Sequence, residues 1–256
     1  MIHPTAVIDP SAKIADSVEV GAYTIIGAGV DIGDKTWIGP HVVIQGPTKI
    51  GSENKLFQFS SIGEVPQDKK FHGEVSYLEI GDRNTIREFA TINRGTEDGG
   101  GTTRIGDDNW LMAYIHIAHD CQIGNNTIFA NNASLAGHAT VEDFAILGGF
   151  TLVHQFCKIG QHSFCGMGSA ISKDVLPYTM VNGSPAHAHG LNSEGIKRKG
   201  FSKDALKALR DAYKIIYRSN NTVEVAKVEL RALAEKIPEV QNMLYFIEQS
   251  ERGILR

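Results

Sequence analysis

His119 and Asp120 stand side by side in the run HIAHDC, which spans His116 to Cys121, and His138 and His154 follow soon after. An imidazole can take a proton near neutral pH, which suits it to act as a general base. A neighbouring carboxylate can fix its tautomer and stabilise the imidazolium that forms. Such a pair activates a weak nucleophile such as a hydroxyl. Imidazoles are also zinc ligands, so a metal site is a competing chemistry for the same residues. A lone surface histidine is ordinarily a solvated side chain, and His162 and His187 read that way. Four histidines count for more only if the fold gathers them.

The elements that must position them are set by a period of six. Apolar anchors recur at Ile2, Ile8, Ile14, Val20, Ile26 and on to Ile62, again at Ile80, Ile86 and Ile92, and from Ile105 to Ile171. Glycine often follows the anchor, as at Gly21, Gly33 and Gly124, and the fourth position after it is small or β-branched. Six is neither the helical 3.6 nor the strand period of two. It marks a hexapeptide β-solenoid, in which each hexad supplies a short strand and a corner. Three hexads, about eighteen residues, close one coil of a triangular prism. Anchor and small residue point inward, and the glycine is expected to supply a turn conformation that a Cβ would resist.

The period gives coordinates. Eighteen residues on from His119 is Gly137, and thirty-six on is Gln155. Asp120 falls under His138, and His154 falls two coils above Ala118, beside the His119 column. One face is therefore expected to gather four imidazoles, a carboxylate and an amide within roughly 10–15 Å. Gly137 leaves no side chain directly above His119, so its backbone N–H can face the site as an oxyanion donor.

Two segments break the period, residues 63–79 and 93–104, and ejected loops on a regular scaffold are where function concentrates. The hexads fill residues 1–185. Residues 186–256 read as a helical domain, with helices opening at Ser202, after Thr222 and after Pro238, the last ending near Gly253. The net charge of −4 marks neither a nucleic-acid nor a general membrane binder. No apolar run reaches the length of a membrane span, and a repeat that starts at residue 2 leaves no room for a signal peptide, so a cytoplasmic location is expected. Cys121, Cys157 and Cys165 fall at inward positions and read as small core residues.

The runs QFSSIGEVPQD, HIAHDC, NNASLAGH, LVHQFCKIG and NSEGIKRKGFS, with the closing ERGILR, together resemble the UDP-N-acetylglucosamine O-acyltransferases of lipid A biosynthesis, a branch of the hexapeptide-repeat acyltransferases. The resemblance covers essentially the whole chain. It implies a left-handed parallel β-helix with a C-terminal α-helical domain, assembled as a homotrimer. It implies transfer of a 3-hydroxyacyl group from acyl carrier protein to the glucosamine 3-hydroxyl of UDP-N-acetylglucosamine. His119 then matches the general base, Asp120 its partner and Gly137 the oxyanion amide. Asp68, Lys70, His116, His138, His154 and Gln155 match residues lining the sugar and acyl pocket. Asn192, Glu194 and Arg198 match the uridine and phosphate end. Met167 matches an acyl-length ruler, implying donors nearer ten to twelve carbons than fourteen. Lys199 stands where a second Arg is frequent, keeping the charge but losing the planar fork. No metal or cofactor is implied beyond the phosphopantetheine that carries the donor. The basic group Lys197, Arg198, Lys199 and Lys203 suits an acidic carrier.

Three rival readings compete. A zinc enzyme of the γ-class carbonic anhydrase kind would use three histidines, but Asp120 and Gly137 have no need of a metal. A sugar N-acyltransferase would carry an N-terminal uridine-binding domain, whereas here the hexads begin at once. A non-catalytic platform does not account for the clustered histidines and ejected loops.

Overall fold

The structure, a computed structural model, describes residues 1–256. It is a left-handed parallel β-helix with a small C-terminal helical part. Each hexad forms a strand of two to four residues, and successive strands build three flat faces in turn. The first face begins at Val7–Ile8 and has nine strands, the second begins at Lys13–Ile14 and has eight, and the third begins at Glu19–Val20 and has ten. Side chains alternate along a strand, so the anchor points in and the residue before it points out. Anchors such as Ile26, Ile44, Leu56 and Ile117 are buried in one continuous core. Burying an Ile or Leu is worth about 1.5–3 kcal/mol, and the core repeats that gain at every hexad. Coils stack in register, with Thr91 over Ser61, His116 over Thr91 and Ser134 over His116 on the first face.

The corners differ from expectation in one respect. The glycine after the anchor does not carry the left-handed backbone. A Cβ on Gly21 would lie 2.5 Å from Pro40 N, and one on Gly124 would lie 2.2 Å from Asp143 Oδ1. Glycine is there because the adjacent coil passes too close for a side chain. The left-handed residue is the third after the anchor, and it is usually not glycine: Tyr114, Asp120, His138, Phe156 and His162 hold it at φ +55° to +65°, while Gly29 and Gly168 are the glycines at that place. That conformation costs about 1–2 kcal/mol per residue. Neighbouring coils offset it, since the N–H of His138 donates to His119 O and that of Phe156 to Gly137 O.

Both breaks leave from the corner between the first and second faces, called here the first edge. One strand runs Ser61–Glu64 and the next Tyr77–Ile80, so the first excursion is residues 65–76. The second lies between Thr91–Asn93 and Thr102–Ile105 and contains a 3-10 turn, Glu97–Gly99. Strands thus reach further into the breaks than the lost period suggests.

Beyond Ile171 the chain adds Thr179–Asn182 to the third face, and His187–Leu191 pairs back on it antiparallel. Four helices follow: α1 (Ser193–Arg198), α2 (Lys203–Tyr217), α3 (Val223–Ala234) and α4 (Pro238–Glu248). Asn192, Ser202 and Thr222 cap the first three through their side chains. The helices close a second apolar core over Leu176 and Tyr178. The last helix stops at Glu248, short of Gly253, because Ser250 donates to Asp174 Oδ2 at 2.6 Å and the chain rejoins the solenoid through Leu255 N and Asp174 O. No helix is long and apolar enough to cross a membrane. The three cysteines are free and buried, and burial pushes Cys121 and Cys165 up to about 12 and Cys157 to about 11, which leaves them unreactive thiols.

Candidate active site

The first edge places the histidines. His119, Gly137 and Gln155 are second after their anchors, while Asp120, His138 and Phe156 are third. His119, His138 and His154 therefore line a prism edge, not a flat face. Only His116, one residue before an anchor, looks out from the first face itself.

His119 Nδ1 lies 2.8 Å from Asp120 Oδ2, and the Asp120 side chain is 0 % exposed. The second excursion closes over that carboxylate. Thr96 N–H donates to Oδ1 at 2.8 Å and Thr96 Oγ1–H to Oδ2 at 2.7 Å. Asp120 N–H in turn donates to Thr103 Oγ1 at 2.8 Å. Burial alone would push the Asp120 carboxyl up, but the hydrogen bonds from His119 and Thr96 outweigh it and hold the group below the usual carboxylate range. Asp120 is ionised at neutral pH, and an ionised partner on Nδ1 leaves Nε2 as the basic nitrogen.

Gly137 lies against that ring. A Cβ there would be 2.6 Å from His119 Cε1 and 2.7 Å from Nε2. Its N–H has no backbone acceptor, although the same holds for His119 and Gln155 at the equivalent place. What sets Gly137 apart is the missing side chain, which lets an incoming group approach both its N–H and Nε2. His138 meets His119 edge-to-face at 5.1 Å and stacks on Phe156 at 4.4 Å. Burial lowers its pKa, and burial followed by the His119 charge lowers that of His116, so both are neutral donors or acceptors above pH 6.5. His116 Nδ1 pairs with Thr91 Oγ1 at 2.7 Å. His154 and Gln155 sit one coil above Gly137, with His154 Nδ1 3.2 Å from Arg252 Nη2.

The first excursion brings Asp68 in, its Oδ2 4.0 Å from His119 Nε2, too long for a hydrogen bond. Asp68, Lys70 and the tip of the second excursion line a cleft of about 620 Å³ between the loops. A larger concavity of about 950 Å³, between the second face and α4, contains no histidine and none of the expected site residues. A third, apolar hollow of about 380 Å³ adjoins His154 on the first face, lined by Leu152, Ala170 and Pro185 among others.

The remaining expected residues stand apart. Asn192 Nδ2 donates to His162 O, and Lys199 lies 4.2 Å over the Phe144 ring, which puts the α1 region at the edge between the second and third faces. Glu194 pairs with Lys197 at 2.9 Å, while Arg198 has no partner. Met167 is on the edge between the third and first faces and is 77 % exposed. Sequence reasoning also passed over Thr96, whose loop carries no period, and Phe156, which a count of eighteen from His138 would have found.

His119, Asp120 and His138 present ligand atoms within 4.8 Å of one another, a spacing that a cation could use. Both Asp120 oxygens, however, already accept hydrogens from Thr96, and Oδ2 accepts from His119 as well. The Asp120 oxygens are thus engaged in a hydrogen-bonded dyad with His119 and Thr96.

A sequence profile described as UDP N-acetylglucosamine O-acyltransferase, domain 2, matches residues 174–255, and one for the bacterial transferase hexapeptide repeat matches residues 102–137. The chain is 58 % identical to the acyl-[acyl-carrier-protein]–UDP-N-acetylglucosamine O-acyltransferase of Thiobacillus denitrificans, over 100 % of this chain and 99 % of that one. It is 54 % identical to the protein of that name from Herminiimonas arsenicoxydans, with the same coverage. The solved UDP-N-acetylglucosamine O-acyltransferase of Moraxella catarrhalis superposes with a TM-score of 0.98 at 51 % identity, covering 100 % of this chain and 99 % of that one.

Proposed function

The chain belongs to the UDP-N-acetylglucosamine O-acyltransferase family, and from that premise we propose that it moves a 3-hydroxyacyl group from acyl carrier protein to the glucosamine 3-hydroxyl of UDP-N-acetylglucosamine. The observation that carries this reading is the His119–Asp120 pair, its free Nε2 beside an N–H with no side chain in the way. His119 Nε2 takes the proton of the 3-hydroxyl as that oxygen attacks the thioester carbonyl. Negative charge develops on the carbonyl oxygen, where the Gly137 N–H can donate. Collapse breaks the C–S bond, and the imidazolium returns its proton to the departing phosphopantetheine thiolate. Asp120 stays ionised throughout and stabilises the imidazolium. Asp68, Lys70, His116, His138, His154 and Gln155 are assigned to holding the sugar and acyl groups around this centre.

One subunit does not supply the whole site, because Asn192, Glu194 and Arg198 are on a different edge from His119. The outward residues support a way to join them. The second face shows Lys13, Asp31, Lys49, Glu79 and Arg104, a charged column suited to water. The first face shows Val7, Ile25, Val43 and Leu152, and the third shows Trp37, Trp110, Ile128, Ile146 and Phe164. Between those two faces Tyr23, His41, Phe59, Phe89 and Tyr114 stack along the third edge. A homotrimer with that edge on its axis lays each first face on a neighbour's third face. The His119 edge of one copy then meets the α1 edge of the next, and Arg198 can take the pyrophosphate. Arg198 and Lys203, with their neighbours Lys197 and Lys199, also offer an acidic carrier a basic surface. Met167, exposed on the edge where the first face begins, is assigned to limiting the acyl chain and favours donors of about ten to twelve carbons.

The test is incubation with UDP-N-acetylglucosamine and a panel of 3-hydroxyacyl carrier proteins, read by mass spectrometry. Product carrying one acyl ester is expected; no product with any donor sinks the assignment. Co-assembled His119→Ala and Arg198→Ala chains should exceed the activity of either alone, because a mixed trimer contains one intact site. Met167→Gly should move the preferred donor upward by several carbons.

A further inference from the structure

We propose that Thr96 is a positioning residue that commits Asp120 to His119 rather than to His138. The inference rests on the reading of His119 as the base. Two imidazoles approach the same carboxylate oxygen: His119 Nδ1 is 2.8 Å from Asp120 Oδ2, and His138 Nε2 is 3.8 Å from it. A carboxylate free to turn could serve either. Thr96 removes that freedom from both ends, with its N–H on Oδ1 and its hydroxyl on Oδ2. The Gly99 N–H donates to Thr96 Oγ1 at 3.3 Å, so the hydroxyl hydrogen is left to point at the carboxylate.

The socket is built around that contact. A Cβ on Gly95 would be 2.8 Å from Asp120 Oδ1, and one on Gly99 would be 2.0–2.3 Å from the carboxylate atoms. Gly99 is small because Asp120 lies against it, whereas at Gly95 the backbone of Gly101 and Thr102 comes closer still. The loop itself is held by other residues. Asn93 Nδ2 donates to Val65 O at 2.8 Å, and Arg94 Nη1 to Gly63 O at 3.0 Å. The Thr96 hydroxyl oxygen also caps the 3-10 turn by accepting from the Gly99 N–H, and its hydrogen is spent on orienting the carboxylate. Two hydrogen bonds fix a carboxylate plane where one leaves a pivot, and the plane decides which ring is held as the Nδ1–H tautomer.

Thr96→Val removes the hydroxyl at nearly constant shape, and Thr96→Ala does so if the valine variant fails to fold. With the wild type, ¹⁵N spectra of the ligand-free protein should show His119 as the Nδ1–H tautomer and His138 without a carboxylate partner. In the variant His119 should become a mixture and the His138 ring signals should move. The kcat should fall about 10–10²-fold, with KM for both substrates within about threefold, and Thr96→Ser should recover most of it. An unchanged His119 tautomer with unchanged kcat would overturn the proposal, as would a loss confined to KM, which would make the loop only a pocket wall. The spectra need no substrate. A tautomer shift in a protein that transfers no acyl group would keep Thr96 in its role and remove the reaction, so the two failures are separable.

Discussion

The third place after an anchor is the same backbone site on every edge, yet the first and third edges use it for opposite ends. On the third edge it holds Tyr23, His41, Phe59, Phe89 and Tyr114, stacked with centroids 4.7–5.4 Å apart. Each aromatic pair there is worth about 0.5–1.5 kcal/mol, and together they offset left-handed backbone with packing. On the first edge the same site holds Asp120, His138 and Phe156. One of them is a buried ion, and what offsets it is a loop that leaves the solenoid to bring donors to it. The solenoid fixes positions; the chemistry of an edge is written only by which side chain stands there and whether a loop comes to cover it.

The largest effect should come from removing the base. His119→Ala should lower kcat about 10²–10⁴-fold while circular dichroism and thermal midpoint stay near wild type, because the ring belongs to neither core. Asp120→Asn should fall less far, and saturation kinetics on both variants set the order. Near-normal turnover in folded His119→Ala would erase the distinction between the edges.

A sharper comparison uses one substitution at one repeat position. Gly137 and Gly149 are both second after an anchor, on the first and third edges. A Cβ at Gly137 would drive into His119, whereas one at Gly149 would find its nearest atom, Asn131 O, at 3.4 Å. Gly137→Ala should lower kcat by about 10–10³-fold, and Gly149→Ala by less than about threefold. Equal losses would mean that the backbone, and not the His119 contact, demands glycine.

The edge between the second and third faces gives the smallest effect. His162 stacks on Phe144 and Tyr178, and burial, followed by the Lys199 charge, lowers its pKa to about 4. Its neutral form is the folded one. The unfolded chain binds the proton first, so stability is full above pH 6.5 and declines as pH falls towards 4. His116 and His138, also lowered by burial, add to that decline, whereas the depressed Asp120 carboxyl acts only towards and below its unfolded value of 3.8. His162→Phe should keep the stack and flatten the slope of thermal midpoint between pH 6.5 and pH 4.5.

How much of this was legible follows from what is periodic. Ile117, Leu135 and Val153 locate their coils, and a count of eighteen set Gly137 over His119 and His138 over Asp120. The helices of the C-terminal part were readable from Ser202, Thr222 and Pro238. The six-residue α1 was not, since Gly195 weakens its pattern, although Asn192 was a usable cap signal. Calling the gathered surface a face was an error of corner geometry: residues second and third after an anchor are in the turn. Nothing in NRGTEDGG announces a socket. Its shape depends on Asp120, twenty-four residues away, and irregular backbone answers to such contacts and not to a period.

An edge also separates chain length from register. Ile62 and Ile80 are eighteen residues apart where adjacent anchors are six, and Ile92 and Ile105 are thirteen apart. Yet Ile62 pairs with Ile44 and Ile92, and Ile80 with Ile50 and Ile105, as if nothing intervened. Lengthening such a loop costs only about 0.6 kcal/mol per doubling in closure entropy. For a lineage this is free drafting space. Away from the Thr96 contact that covers Asp120, the two loops can be rewritten or extended while the coils beneath inherit the same fold, so divergence in what the cleft accepts need not pass through an unstable ancestor.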